Sequence, residues 1–187
     1  MLLAFILMFA LAGNAGAQVS APSGSSAVRS TQSQPTPKLL SAALPATTED
    51  SAAESELLEL ANQRRKEAGV APLRVEEGLT NAARAHARLM VAKQQLSHQF
   101  EGERSLMPRL HDSGLSIDSA GENVAYHGSV EKAFESLMQS PPHRQNLLDP
   151  DFNIAGMAAY WSGGRLYVVQ DFAHKLVEVL PASKRQR

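Results

Sequence analysis

NIAGMAAYWSGGRLYVVQDF, residues 153–172, holds two β-rich apolar runs, Asn153 to Trp161 and Arg165 to Phe172, separated by Ser162-Gly163-Gly164. Glycines supply the positive φ of a tight reversal, so the stretch reads as a β-hairpin. Upstream the apolar period changes from that of strands to that of helices. Ser129 is an N-cap for a helix whose stripe is Val130, Ala133, Phe134, Leu137 and Met138, ended by Pro141 and Pro142. A longer stripe, Leu79, Ala82, Ala83, His86, Leu89 and Met90, predicts a helix from about Glu76 to Lys93 with His86 facing inward. Before it, Ser51 and Glu54 form a capping box for a helix carrying Leu57, Leu60, Ala61 and Ala68, stopped by Gly69 ahead of Pro72. A short helical piece covers Leu106 to His111, with Gly114 as its stop. Helices first and strands last, without βαβ alternation, is the order of an α+β domain whose helices cover an antiparallel sheet.

The rest of the chain bounds the function. The 187 residues carry a formal charge of −1, and only Lys184, Arg185 and Arg187 cluster, so there is no basic footprint for nucleic acid. Cysteine is absent, which removes disulfides, thiolate nucleophiles and Cys-ligated metals. Residues 1–17 are apolar from Met1 to Ala12 and end in Ala15-Gly16-Ala17, the form of a secretory leader with an A-x-A cleavage site. That run is shorter than the roughly 20 residues needed to cross a bilayer, although no Lys or Arg precedes it and an uncleaved anchor is the alternative. Residues 18–50 are rich in Ser, Thr, Pro and Ala, with no aromatic between Phe9 and Phe100, which predicts a disordered spacer. The folded domain is assigned to 51–180 and a basic tail to 181–187.

Several short motifs occur in register: Asn62-x-x-Arg65-x-x-x-Gly69 with Pro72-Leu73; Ala82-x-x-x-His86-Ala87; Leu96-Ser97-His98; Gly121-Glu122-Asn123-Val124-Ala125; Ser140-Pro141-Pro142-His143-Arg144-x-Asn146-Leu147-Leu148; and Val169-Gln170-Asp171-Phe172. Over Ser51 to Lys175 the chain resembles the CAP superfamily (cysteine-rich secretory proteins, antigen 5, pathogenesis-related 1), in its cysteine-free bacterial branch. The resemblance implies a three-layer α-β-α sandwich with a central antiparallel sheet, and secretion. It also implies a cleft containing His98, Glu122 and His143. Where the eukaryotic branch places a second acid, this sequence offers Ser140, so the family's tetrad is expected as a triad.

Two imidazoles and a carboxylate are a recurrent ligand set for Zn²⁺ or another divalent cation, so His98, His143 and Glu122 are candidate metal ligands. Their separation in sequence leaves the meeting entirely to the fold. The alternative is a hydrogen-bonded cluster in which Glu122 pairs with a histidine and each favours the other's charged form. His86 reads as a bonded core residue, and Asn123 as a turn residue bonding local backbone. Arg144 and Asn146 are expected at the cleft rim, or Arg144 in a surface pair with Asp149 or Asp151, while Gln170 or Asp171 faces inward to satisfy a cleft polar group. His111, His127 and His174 read as solvent-facing.

Three function classes follow. The first is an exported binding module holding a small molecule, lipid or envelope component. The second is a hydrolase or protease using a metal-bound water or a serine, Ser97 or Ser140, beside histidine. The third is a structural protein of the envelope.

Overall fold

The computed structural model describes residues 46–176. The expected leader and basic tail lie outside them. Along the chain come β1 (Thr47–Glu49), α1 (Ser51–Glu67), β2 (Arg74–Val75), α2 (Glu77–Lys93), α3 (Leu106–His111), β3 (Ile117–His127), α4 (Val130–Gln139), α5 (Pro141–Leu148), β4 (Ile154–Ser162) and β5 (Arg165–Lys175).

The hairpin forms as read. Gly163 and Gly164 take φ of 57° and 75°, a two-residue loop only glycine enters without strain. Its antiparallel register runs from Ile154 opposite Ala173 to Ser162 opposite Arg165. The sheet order is β1-β4-β5-β3, with β2 adding two parallel residues to the outer edge of β4. All other pairings are antiparallel.

Alternation along the strands makes the three layers. Ala155, Met157, Ala159, Leu166, Val168 and Phe172 pack under α1, α4 and α5 with Leu57, Ala61, Phe134, Leu137 and Leu147. The alternate residues Ala158, Tyr160, Tyr167 and Val169 pack on α2 through Ala83, Ala87 and Met90, and Ile154 and Ala173 on Leu79 and on Leu110 of α3. The fold is therefore the three-layer α-β-α sandwich expected.

Several local expectations are corrected. Residues 47–49 fall in the span expected as spacer, yet pair with Tyr160 to Ser162. Three contacts hold them: Trp161 Nε1 donates to Asp50 at 2.9 Å, the Tyr160 hydroxyl bonds Glu49, and Arg84 lies 3.2 Å from Glu49. The cap of α1 is Asp50, whose carboxylate accepts from Ala53 N–H at 2.9 Å, not Ser51. Glu54 cannot reach back as a capping box because Arg84 engages both its oxygens, at 2.9 and 2.5 Å. In the α1 stripe Ala68 is exposed and Arg65 is buried in its stead. On α2, Leu89 is exposed and Ala87 takes the inward place. Pro141 and Pro142 end α4 but also start α5, with Pro141 at its first position, where no amide N–H is needed. Gly121 to His127, where Asn123 is expected in a turn, belong to the 11-residue edge strand β3.

Candidate functional site

The polar cluster gathers on the edge strand β3 because the register sets Glu122 opposite Asp171 and Asn123 opposite Gln170. Successive residues face opposite layers, so Glu122 enters the α2 side and Asn123 the α5 side. All four are buried.

Asn123 is no turn residue. Its amide donates to the His143 carbonyl at 3.0 Å and to Gln170 at 3.1 Å, and its oxygen accepts from Asn146 at 3.1 Å. Asn146 also donates to the Glu122 carbonyl at 3.2 Å. These bonds tie α5, and with it His143, to β3. Gly121 permits the approach: an added Cβ would sit 3.1 Å from Asn146 Oδ1 and 3.1 Å from Phe152. Arg144 donates to the Met138 carbonyl at the end of α4 and pairs with neither Asp149 nor Asp151. Ser140 is the joint between α4 and α5, where its side chain makes no capping bond.

On the other side His98, from the segment after α2, points Nδ1 at Glu122 Oε1 at 2.9 Å. The His98 and His143 rings lie 6.4 Å apart. The three residues assigned from separate motifs thus meet beside β3. His98 is 58% exposed at its side chain and Glu122 only 3%, so the cluster presents an imidazole to solvent with the carboxylate behind it.

Two residues the sequence reading passed over complete the cluster. Arg109 of α3 pairs through its guanidinium with Glu122 Oε2, lies 3.2 Å from Glu103 Oε1 and 3.4 Å from the His98 carbonyl. Glu103 accepts from Phe100 N–H at 3.0 Å and contacts His86 Nδ1 at 2.7 Å. His86 Nε2 donates to the Ser97 carbonyl at 2.7 Å, so His86 is a bonded core residue, as read. No periodic signal marks Glu103 or Arg109; only two charges, one just before and one within a short helix, could have drawn attention to them.

Asp171 is fully buried and neither carboxyl oxygen has a hydrogen-bond partner. Burial above all, then the charge of Glu122, pushes its carboxyl well above the usual carboxylate range, with Arg109 pulling the other way. Its surroundings therefore favour the protonated acid over the carboxylate. Asp171 bonds no polar group, whereas Gln170 accepts from Asn123, so of the two residues considered for that role it is Gln170 that takes it.

The hydrogen bond to Glu122 raises the His98 pKa against burial, whereas burial and then the charge of His98 lower that of His143. In a histidine NMR titration His98 is expected to have its midpoint above 6.5 and His143 below it, leaving one imidazolium and one neutral imidazole between the two. The His98 contribution to stability is full below its unfolded value and is lost as pH rises through its raised midpoint; that of His143 is lost as pH falls through its lowered one. Glu122→Gln should bring the His98 midpoint down. A reversed order of midpoints would contradict this electrostatic arrangement.

As arranged, the residues expected to ligate a metal do not fit one. Both Glu122 oxygens are engaged, one by His98 Nδ1 and the other by a permanent guanidinium cation. Among the described residues no three His, Asp or Glu side chains are placed to hold an ion. Ser97 is also committed elsewhere, its hydroxyl donating to the Gln99 carbonyl at 2.6 Å.

Sandwich and polar cluster together define a small α-β-α domain that carries two neighbouring imidazoles at a sheet edge. The cysteine-rich secretory protein family, CAP, matches residues 58–172, and the chain belongs to that family. It is 34% identical over 114 residues to the uncharacterized protein YkwD of Bacillus subtilis, covering 60% of this chain and 44% of that protein. It is 30% identical over 120 residues to the uncharacterized membrane protein YlbC of the same organism, covering 64% of this chain and 34% of that one. The chain thus spans less than half the length of either relative. Its fold is similar to that of an extracellular SCP-domain protein of Bacillus anthracis (TM-score 0.63, 24% identity, 67% of this chain and 41% of that chain). It is likewise similar to an outer surface protein of Borrelia burgdorferi (TM-score 0.66, 17% identity, 71% of this chain and 100% of that chain).

Proposed function

We propose that the chain is an exported binding module of the CAP family whose cleft at His98, Glu122 and His143 holds the polar part of a small molecule, lipid or envelope component. The observation that carries the reading is the facing pair of imidazoles, 6.4 Å apart, with His98 held from behind by a buried carboxylate. Such a pair offers a donor and an acceptor to a ligand, with the His98 ring fixed by its bond to Glu122. Asn123, itself bonded by Asn146, holds the main chain of His143 from the opposite layer.

Export draws on the form of residues 1–17 and on the family's secretory description. No helix of the described residues is long and apolar enough to cross a membrane. We assign the chain to the medium, the periplasm or the cell surface. Relatives described as a membrane protein, an extracellular protein and an outer surface protein accord with this. The hydrolase reading draws less support, because the Ser97 hydroxyl is bonded to backbone and the fourth family acid is Ser140.

Retention on purified peptidoglycan sacculi and on anionic phospholipid vesicles tests the reading. The full chain should co-sediment with one of them, and the double substitution His98→Ala with His143→Ala should weaken retention about tenfold or more, on the scale of losing two ligand hydrogen bonds. Equal retention by a double variant with an unchanged circular dichroism spectrum would remove the cleft from binding. No retention on either material would remove the proposal.

A further inference from the structure

We propose that Arg109 is the resident cation of this site: its guanidinium bridges Glu103 and Glu122, engaging the one carboxylate among the three candidate metal ligands, and a ligand is taken directly on the His98 and His143 rings without a metal. The inference deepens the cleft reading above by specifying how the site is neutralised.

The hydrogen-bond inventory carries it. Glu122 Oε1 faces His98 Nδ1 at 2.9 Å and Oε2 pairs with Arg109. Glu103 Oε1 faces His86 Nδ1 at 2.7 Å and Arg109 at 3.2 Å, while Oε2 accepts the Phe100 N–H at 3.0 Å. Every oxygen of the Glu103 and Glu122 carboxylates has a partner already. A metal would have to displace a bond at each one it used.

Charge balance gives the same answer. Arg109 and Glu122 cancel. A hydrogen lies between His86 Nδ1 and Glu103 whichever atom carries it, and His86 Nε2 must donate because a carbonyl only accepts, so this second pair is also neutral overall. These two pairs therefore carry no surplus negative charge to attract a cation. The Arg109 side chain is 10% exposed and that of Glu122 3%, so their attraction is only weakly screened. Arginine is charged at every working pH, and its planar fork reaches two carboxylates at once. Placing a divalent ion beside it would set like charges together in a site with little water.

The test is Zn²⁺ titration of the full chain, followed by calorimetry and by the His98 and His143 ring resonances, for wild type, Arg109→Lys and Arg109→Met. Wild type and Arg109→Lys are expected to show no one-equivalent, chelator-reversible binding that shifts both rings. Arg109→Met removes the competing charge and should bind Zn²⁺ at that site at least about tenfold more tightly than wild type. One-equivalent binding to wild type with both rings shifted would overturn the proposal, as would equal affinity in wild type and a folded Arg109→Met. Should Arg109→Met not fold, wild type and Arg109→Lys still decide the question. Since the titration needs no envelope material, failure of the retention assay leaves this result untouched, and Zn²⁺ binding by wild type leaves the binding-module reading standing.

Discussion

Arg65→Ala is expected to cost the folded domain about 4 kcal/mol or more, a large part of the roughly 5–15 kcal/mol by which a domain of this kind is stable. Arg65 lies on α1 with no solvent exposure. Its Nε donates to the Ala71 carbonyl at 2.7 Å, and its two terminal nitrogens to the carbonyls of Leu147 and Asp149, each at 2.9 Å, and of Phe152 at 2.8 Å. One side chain thus gathers the turn before β2 and the whole passage from α5 to β4. The cation is solvated by carbonyl dipoles, two of them from the C-terminal end of α5, where the helix dipole is negative. Alanine would leave four main-chain acceptors without a donor and open a cavity beside them. Lysine keeps the charge but lacks the planar fork, so Arg65→Lys should lose about half as much. Urea denaturation followed by circular dichroism measures both. A loss below about 1 kcal/mol for alanine would mean that water replaces the guanidinium at little cost.

Gly156→Ala should be nearly as damaging, at about 3 kcal/mol or more, for a steric reason. The first turn of α2 lies directly on β4 here, and an added Cβ would collide with main-chain atoms of Leu79 and Thr80, coming within 2.6 Å of the Leu79 carbonyl oxygen. Backbone cannot swing aside as a side-chain tip can, so α2 would have to lift from the sheet. That displacement reaches the cleft. Gly156 pairs with Asp171, and Asp171 with Glu122, while His86 is two turns further along the same helix. Gly128→Ala is the control: nothing lies within 4 Å of the added atom, and its effect should stay within about 0.5 kcal/mol. Comparable losses at the two positions would show that close packing of α2 on β4 is not what Gly156 provides.

Neither large effect is visible in a pattern of apolar residues. Arg65 has a place in one of the motifs that carry the family resemblance, yet its partners lie 82 to 87 residues away, apart from Ala71. Gly156 sits inside a β-rich run where a glycine reads only as a weak spot. The same limit applied to the cleft. His98, Glu122 and His143 could be assigned by resemblance, but Arg109 and Glu103, which decide the charge of the site, have no motif and no period. Asn123 was read as bonding its neighbours because short polar side chains do so in turns; in an 11-residue edge strand it spans to α5 and β5 instead.

Local order was the legible part. The hairpin about Gly163 and Gly164, the helix Leu106–His111, the Ser129 cap and the left-handed stops at Gly69 and Gly114 all rest on backbone preferences acting over a few residues, and all formed. Layer order followed too, since the change of period from helix to strand prescribes which elements must cover which. The tertiary structure alone settled β1 and β2, three and two residues long, which form where the outer edge of β4 offers hydrogen-bond partners. It alone also settled the burial of Asp171 without a partner and the guanidinium beside Glu122. The physical reason is common to both: preferences of a few residues are written in adjacent side chains, whereas pairing at an edge and the balance of buried charge depend on which distant groups the packed layers bring within 3 to 4 Å.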